Sequence, residues 1–459
     1  MPDDLIITGN RVLIEGALRP ATLTIRAGKI HTLDSSTPGP SARVLDAGNL
    51  VILPGLVDTH VHVNEPGRTD WEGFETAGRA AAAGGITTIV VMPLNCTPAA
   101  TNVAALTGEV EAARGKCHVD HGFWGGVIPG NAHEIEPMWN AGALGFKAFM
   151  VDSGVDDFPG SNIHDLEQAA PILARLQAPF LVHAEDPDSI NSLPLESWFS
   201  DNLRSYSAYL SSRPPESEFR AVVALMRLCG STKPDSLRLH IVHVSDSMLT
   251  ISVLRGFRSH NSLLSCETCP HYLTFASENI PDGATEYKCA PPIRSFDNRI
   301  SLWNALRAGV IDMVVSDHSP CPPSMKCLDT GNFSKAWGGI SSLQLGLAAT
   351  WTGARARGFA LPDIARWMCE NPAKLARIHD RKGTIAPGRD ADLIFFDPDS
   401  EWTVHAEALH HRHKLTPYDG RTLRGVVHRT ILRGTTIFDL HQHPPFPSEP
   451  IGQWIKRDN

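Results

Sequence analysis

Val57-Asp58-Thr59-His60-Val61-His62-Val63-Asn64-Glu65-Pro66-Gly67 places two imidazoles two residues apart in a run with strand character. Side chains on a β-strand alternate between faces, so His60 and His62 point one way while Thr59 and Val61 point the other. Two like-facing imidazoles can share a metal, although the spacing alone also fits an ordinary surface strand. The surroundings favour the first reading. An apolar run, Leu50-Val51-Ile52-Leu53-Pro54-Gly55-Leu56-Val57, leads in with no charged residue between Asp46 and Asp58, and a Pro66-Gly67 turn follows. The pair is expected at the C-terminal end of a buried strand.

Outward from this stretch, residues 55–380 alternate short apolar runs with helical segments. Strands are predicted at Leu56 to His62, Ile86 to Met92, Cys117 to Val127, Gly145 to Met150, Phe180 to His183, Leu239 to Val244, Leu263 to Cys266 and Met313 to Ser316, with helices such as Ile163 to Leu176 between them. Eight strands alternating with helices predict an α/β fold, a (β/α)8 TIM-like barrel. A doubly wound open sheet is the main rival. It lacks support because no Gly-x-Gly-x-x-Gly follows a first strand, and polar residues gather at many strand ends rather than one switch point. Residues 1–54 and 381–459 read instead as short strands separated by turns, such as Arg11-Val12-Leu13-Ile14 and Asp392-Leu393-Ile394-Phe395-Phe396. Neither end has strands enough for its own core, so the two are expected to pair into one small β-sandwich domain.

Composition narrows the function classes. Of 459 residues, 42% are hydrophobic and 20% charged, and no apolar run approaches the roughly 20 residues of a membrane span. A net charge of -9 without a basic stripe argues against nucleic acid. Met1-Pro2-Asp3-Asp4 is unlike a secretory signal and Lys456-Arg457-Asp458-Asn459 unlike a peroxisomal one, so a cytoplasmic location is expected. Nine scattered cysteines, including Cys266-x-x-Cys269, fit reduced thiols better than a disulfide framework. His411-Arg412-His413 and His441-Gln442-His443 fall in or after the β module and are expected to be solvated, the second in a loose tail that opens with Pro444-Pro445.

Chemistry-bearing residues recur at the ends of the predicted strands, where a barrel puts its active site. Lys147 lies in Gly145-Phe146-Lys147-Ala148-Phe149-Met150, His183 before Ala184-Glu185, His243 in His240-Ile241-Val242-His243, and Asp317 after Met313-Val314-Val315-Ser316. Each has a bland reading: a strand-end His can be structural, and Asp317 can cap a turn. An ammonium flanked by Phe146, Phe149 and Met150 is harder to explain, since burying it unpaired is costly. Carrying CO2 as a carbamate, the same amine would become an anion with two metal-binding oxygens. Six such residues, each at a strand end, make chance improbable.

This pattern resembles the metal-dependent amidohydrolases over about residues 1–440. Within them, His62-Val63-Asn64-Glu65-Pro66-Gly67-Arg68-Thr69-Asp70-Trp71-Glu72-Gly73, Met92-Pro93-Leu94-Asn95, Cys266-Glu267-Thr268-Cys269-Pro270-His271-Tyr272 and Ser316-Asp317-His318-Ser319-Pro320-Cys321 resemble the allantoinases, of the cyclic amidohydrolase branch. The resemblance implies hydrolysis of a small cyclic ureide, the hydantoin ring of allantoin, by a homotetramer. His60, His62 and Asp317 would hold one divalent metal, His183 and His243 a second, with zinc the expected metal, and N6-carboxylated Lys147 would bridge them. Asp317 would also carry the proton. Dihydroorotases have an Arg where Asn64 stands, which a neutral ureide would not need. Hydantoinases and dihydropyrimidinases, the alternative, place a Tyr oxyanion donor where Asp152 stands. Allantoinases share the following Ser153, which becomes the candidate donor, while Ala290, Asn95 and Gly338 are candidate substrate contacts. Relatives that survive only as scaffolds lose ligands, whereas all six are present here.

Overall fold

The computed structural model describes residues 5–34, 43–191, 202–232, 236–258 and 261–457. Met1 to Asp4, Asp458 and Asn459, on which the localisation reading partly rests, lie outside them. The N-terminal strands are β1 (Leu5–Ile14), β2 (Ala17–Arg26), β3 (Lys29–Leu33), β4 (Arg43–Asp46) and β5 (Val51–Pro54). The barrel strands are β6 (Leu56–Val61), β7 (Ile86–Val91), β8 (Asp120–Phe123), β9 (Gly125–Gly126), β10 (Phe146–Phe149), β11 (Pro179–His183), β12 (Arg238–Ile241), β13 (Ser265–Thr268) and β14 (Met313–Val314). At the C-terminal end come β15 (Leu393–Thr403), β16 (Thr422–Leu432) and β17 (Thr435–Asp439).

All eight predicted barrel strands are present and parallel. They run as β6-β7-β8 and as β9-β10-β11-β12-β13-β14. The third strand is bent at Trp124, whose backbone N–H donates to Val91 while Gly125 N–H donates to Gly145, which carries the ladder from one sheet to the other. At the opposite seam His62 N–H donates to His318 O at 2.8 Å, and Val61 pairs with His318. The ring is closed. Outside it, the helix Ile163–Leu176 shows why such segments form: Asn162 and Asp165 make a reciprocal capping box, and Leu166, Ala169, Ala170 and Leu173 make its buried stripe.

Both chain ends meet in one β module, as expected. β5 pairs antiparallel with β15, Val51 opposite Phe396 and Pro54 opposite Leu393, within a sheet ordered β17-β16-β15-β5-β1-β2-β3. Ile7, Leu23, Ile52, Leu393 and Ile431 belong to its own apolar cluster. The chain passes from β5 into β6 through Gly55, where a Cβ would lie 2.3 Å from Thr87 Oγ1, so only glycine fits. A buried charge knot ties module to barrel: the Lys382 ammonium lies 2.7, 3.0 and 2.6 Å from carboxylates of Asp120, Asp390 and Asp392, and Arg433 also pairs with Asp120. Those three carboxylates could themselves group around a cation, and the lysine supplies one.

Two expectations are corrected. The tail after Pro445 is not loose: Trp454 pairs with His121, Ile455 N–H donates to His121 O at 2.8 Å, and Ile455 is buried, because its apolar residues extend the sheet edge at β8. His411 is not solvated. It is fully buried, because the loop carrying it folds back on the barrel, where Arg412 N–H donates to Glu72 and His413 Nε2–H to Asp70 O. His441 remains at the surface beside His428. No helix among the described residues is long and apolar enough to cross a membrane.

Candidate active site

A cavity of about 500 Å3 opens at the C-terminal mouth of the barrel, walled by His60, His62, His183, His243 and Asp317. It falls in the size range of small-molecule sites. Alternation on β6 aims His60 and His62 inward together, and the ligating atoms of His60, His62 and Asp317 all lie within 4.8 Å of one another. His60 Nε2 is 3.2 Å from Asp317 Oδ1 and His62 Nε2 is 3.7 Å from it. The His243 ring lies 5.4 Å from His60 and 4.5 Å from His183, centroid to centroid, so the four imidazoles are contiguous. Lys147 on β10 lies beneath them, fully buried. The structure thus brings together all six residues singled out at the strand ends.

The electrostatics suit cation binding. Burial, with the nearby His60 and Lys147, pushes His62 well below the usual imidazole range. Burial also takes His183 down to about 4, against the pull of Glu185, and lowers His243, helped by His183 and Lys147. Neutral imidazoles keep the lone pair a metal needs. Burial drives Lys147 down to about 8 although the carboxylates of Glu267 and Asp317 oppose it. Its Nζ and His243 Nδ1 have no hydrogen-bond partner among the described residues. Buried polar atoms without partners are costly, and a shared metal centre is what such atoms would serve. The donor set therefore fits one.

Two carboxylates behind the ligands went unread in the sequence. Glu267 Oε1 accepts from His60 Nδ1 at 2.5 Å, and Glu185 Oε2 lies 2.7 Å from His183 Nε2 and is paired with Arg213. Burial alone would raise both carboxyls. His60 and His240 outweigh it at Glu267, and Arg213 with His183 brings Glu185 down to about 2. Carboxylates that hold the far nitrogen of a ligating histidine fix its ring and tautomer. The available signal was spacing: Glu185 follows His183 by two residues and so shares its face.

Among the candidate substrate contacts, Asn95, Ser153, Ala290 and Gly338 all line the cavity. The Asn95 amide lies 3.4 Å from His62 Nδ1. The Ser153 hydroxyl is turned away, donating to Phe158 O at 2.5 Å. Asn64 does not line the cavity. It is buried and donates to Pro320 O, so it braces a loop. Trp337 walls the mouth edge-on to Trp71 at 5.1 Å, on a loop held by two lysines. Lys288 donates to Ala336 O at 2.6 Å, and buried Lys326 donates to Trp337 O at 3.0 Å and to Gly339 O.

An eight-stranded parallel barrel with four buried imidazoles, one carboxylate and, among the described residues, one unpartnered amine at its C-terminal mouth defines a metal-dependent hydrolase. Residues 51–437 match the Amidohydrolase family. The chain is 44% identical to an allantoinase of Streptomyces avermitilis over 99% of each chain, and 42% identical to the allantoinase of Saccharomyces cerevisiae over 94% of this chain and 95% of that one. Its fold matches the L-hydantoinase (dihydropyrimidinase) from Arthrobacter aurescens with a TM-score of 0.92, at 31% identity over 99% of this chain and 100% of that chain. The chain belongs to the amidohydrolase family, whose members are metal-dependent.

Proposed function

We propose that this protein opens the hydantoin ring of allantoin by hydrolysis, releasing allantoate. The observation that carries the reading is the convergence of four imidazoles and Asp317 on one cavity, with the Lys147 amine buried close to them and without a hydrogen-bond partner among the described residues. Full-length likeness to proteins named allantoinase supplies the substrate class. In this reading His60, His62 and Asp317 hold one divalent cation and His183 and His243 a second. Lys147, once its amine has added CO2 and released a proton, would supply carbamate oxygens as further ligands. Burial already favours the neutral amine that this addition requires.

A cation pair bound there supplies a Lewis acid for the ring carbonyl and lowers the pKa of a water from about 15.7 towards about 7. The remaining work falls to the chain. Asp317 takes the proton of the attacking water on the carboxylate oxygen not turned towards His60 and, as the ring C–N bond breaks, returns it to the leaving nitrogen, which departs neutral. Glu267 and Glu185 keep His60 and His183 turned towards the cavity. With the Ser153 hydroxyl engaged in its own loop, ring orientation falls to main-chain groups of Ser153, Ala290 and Gly338 and to the Asn95 amide. Zinc, a homotetrameric assembly and a cytoplasmic location belong to the same proposal; elemental analysis, light scattering and cell fractionation test them in turn.

The deciding experiment is a substrate panel on protein supplied with zinc and bicarbonate. Allantoin should show the highest kcat/KM. A preference for hydantoin or dihydrouracil would move the assignment to a hydantoinase or dihydropyrimidinase, and hydrolysis of none would overturn the enzymatic reading.

A further inference from the structure

Behind His60 a line of buried side chains runs down the barrel interior. Glu267 accepts from His60 Nδ1 at 2.5 Å and from His240 Nε2 at 2.9 Å, and Ser265 Oγ lies 2.8 Å from His240 Nδ1. β14 stands between β13 and β6, so the His60–Glu267 bond crosses the interior rather than joining neighbouring strands. His60 is 1% exposed, and Glu267 and His240 are 0% exposed, so the line is shut off from bulk solvent. Ser265 is the first residue of β13 and lines a separate cavity of about 200 Å3. Pro179, Arg238 and Met313, which start β11, β12 and β14, line it too, placing it at the barrel end opposite the active-site mouth.

Counting donors fixes the protons along this line. An ionised carboxylate only accepts, so both imidazoles must present N–H to Glu267: Nδ1–H on His60 and Nε2–H on His240. A histidine that ligates a metal through Nε2 carries its proton on Nδ1, and an imidazole that donates to Glu267 at Nε2 alone is left to accept at Nδ1. His240 Nδ1 is then an acceptor and takes the Ser265 hydroxyl proton. His60 Nε2 is left as a lone pair facing Asp317 Oδ1 across 3.2 Å. Two acceptors at that separation suit a cation between them.

We propose that Ser265, His240 and Glu267 are positioning residues that set the tautomer and rotation of His60, so that metal affinity at the mouth depends on a hydroxyl at the far end of the barrel. This rests on the metal reading of the site. An outer carboxylate on a ligating histidine is worth about 10–100-fold in metal affinity. Here the carboxylate is itself held in turn. Without the Ser265 proton, His240 can carry its own proton on Nδ1, and Nε2 then turns a lone pair against Glu267.

The test is zinc affinity of the full-length protein by competition with a chromogenic chelator, with thermal melting of the metal-free form as the check on folding. His240→Phe should weaken zinc binding about 10–100-fold, whereas His240→Gln, whose amide N–H still reaches Glu267, should stay within about threefold of wild type. Ser265→Ala should weaken it as well, and Ser265→Thr, which restores the hydroxyl, should recover it. If His240→Phe does not fold, the Ser265 pair decides, since both changes are small and face a cavity. Ser265→Ala and Ser265→Thr binding zinc alike, or a folded His240→Phe binding it as tightly as wild type, would overturn this inference and leave the metal reading standing. Wild-type protein that binds no divalent metal would overturn both.

Discussion

Lys147 is an amine whose burial works against its charge, although Glu267 and Asp317 favour it. Its amine is fully buried, has no hydrogen-bond partner among the described residues, and lies 4.9 Å from the centre of the Phe149 ring. Conversion to a carbamate would turn this liability into the anion that a pair of cations needs. Lys147→Ala should therefore lose both zinc and allantoin hydrolysis by at least ~100-fold, with a small carboxylic acid such as acetate restoring part of each. Full activity in the variant would remove the carbamate from the mechanism. Glu109 poses the same problem with the opposite sign. Burial pushes its carboxyl up to about 8, against the hydrogen bond from Cys96 Sγ at 2.6 Å, and Oε2 has no partner among the described residues. The folded chain thus keeps a proton that the unfolded chain releases above about 4.5. Stability present at low pH is lost as pH rises towards about 8, at about 1.4 kcal/mol for each unit. Glu109→Gln should flatten that slope in urea midpoints measured from pH 5 to 9. Unchanged slopes would place the proton elsewhere. His60 and His62 were legible in the sequence because a two-residue period is a local property. Glu267 was not, because a carboxylate on a strand bears no local mark separating a histidine's partner from a solvated charge. His411 was misread for a related reason: the loop that buries it is held by Glu72, 340 positions from Arg412.

At the level of elements, the barrel strands are short and the site begins where they stop. His243 has φ +37° and Asp317 φ +46°, and Asn95, on the loop after β7, has φ +75°. A left-handed conformation at a non-glycine residue costs of order 1–3 kcal/mol and persists only where neighbours hold it. Here it turns the chain out of the strand while the side chains stay over the mouth. Apolar runs revealed the strands, but nothing in them revealed this turn. The loop carrying Trp337 is held differently, by the Lys326 ammonium among main-chain carbonyls. Lys326→Met would leave the carbonyls of Trp337 and Gly339 without that donor. KM for allantoin should rise about tenfold, equivalent to ~1.4 kcal/mol, with kcat little changed. An unchanged KM would mean that the loop is held by its other contacts.

In the molecule as a whole, the pairing of the two chain ends was legible because neither end could bury its strands alone, whereas the return of the tail along β8 was not, since it depends on a sheet edge created far away in the sequence. The Lys382 knot was equally invisible. It gathers Asp120 from β8 with Asp390 and Asp392 from just before β15, nearly all of it out of solvent. Removing one partner of a buried ionic group typically costs about 3–5 kcal/mol, so Lys382→Met should unfold at clearly lower urea and lose activity with its structure. A midpoint equal to wild type would show that the carboxylates are content without the ammonium.

The same knot bears on synthesis. Asp120 is translated 262 positions ahead of the lysine that neutralises it. Domains usually mature in the order in which they emerge from the ribosome. This one has to wait: a nascent chain arrested before Lys382 would already hold all eight barrel strands, yet the carboxylate of the third would still lack the ammonium that faces it in the finished protein.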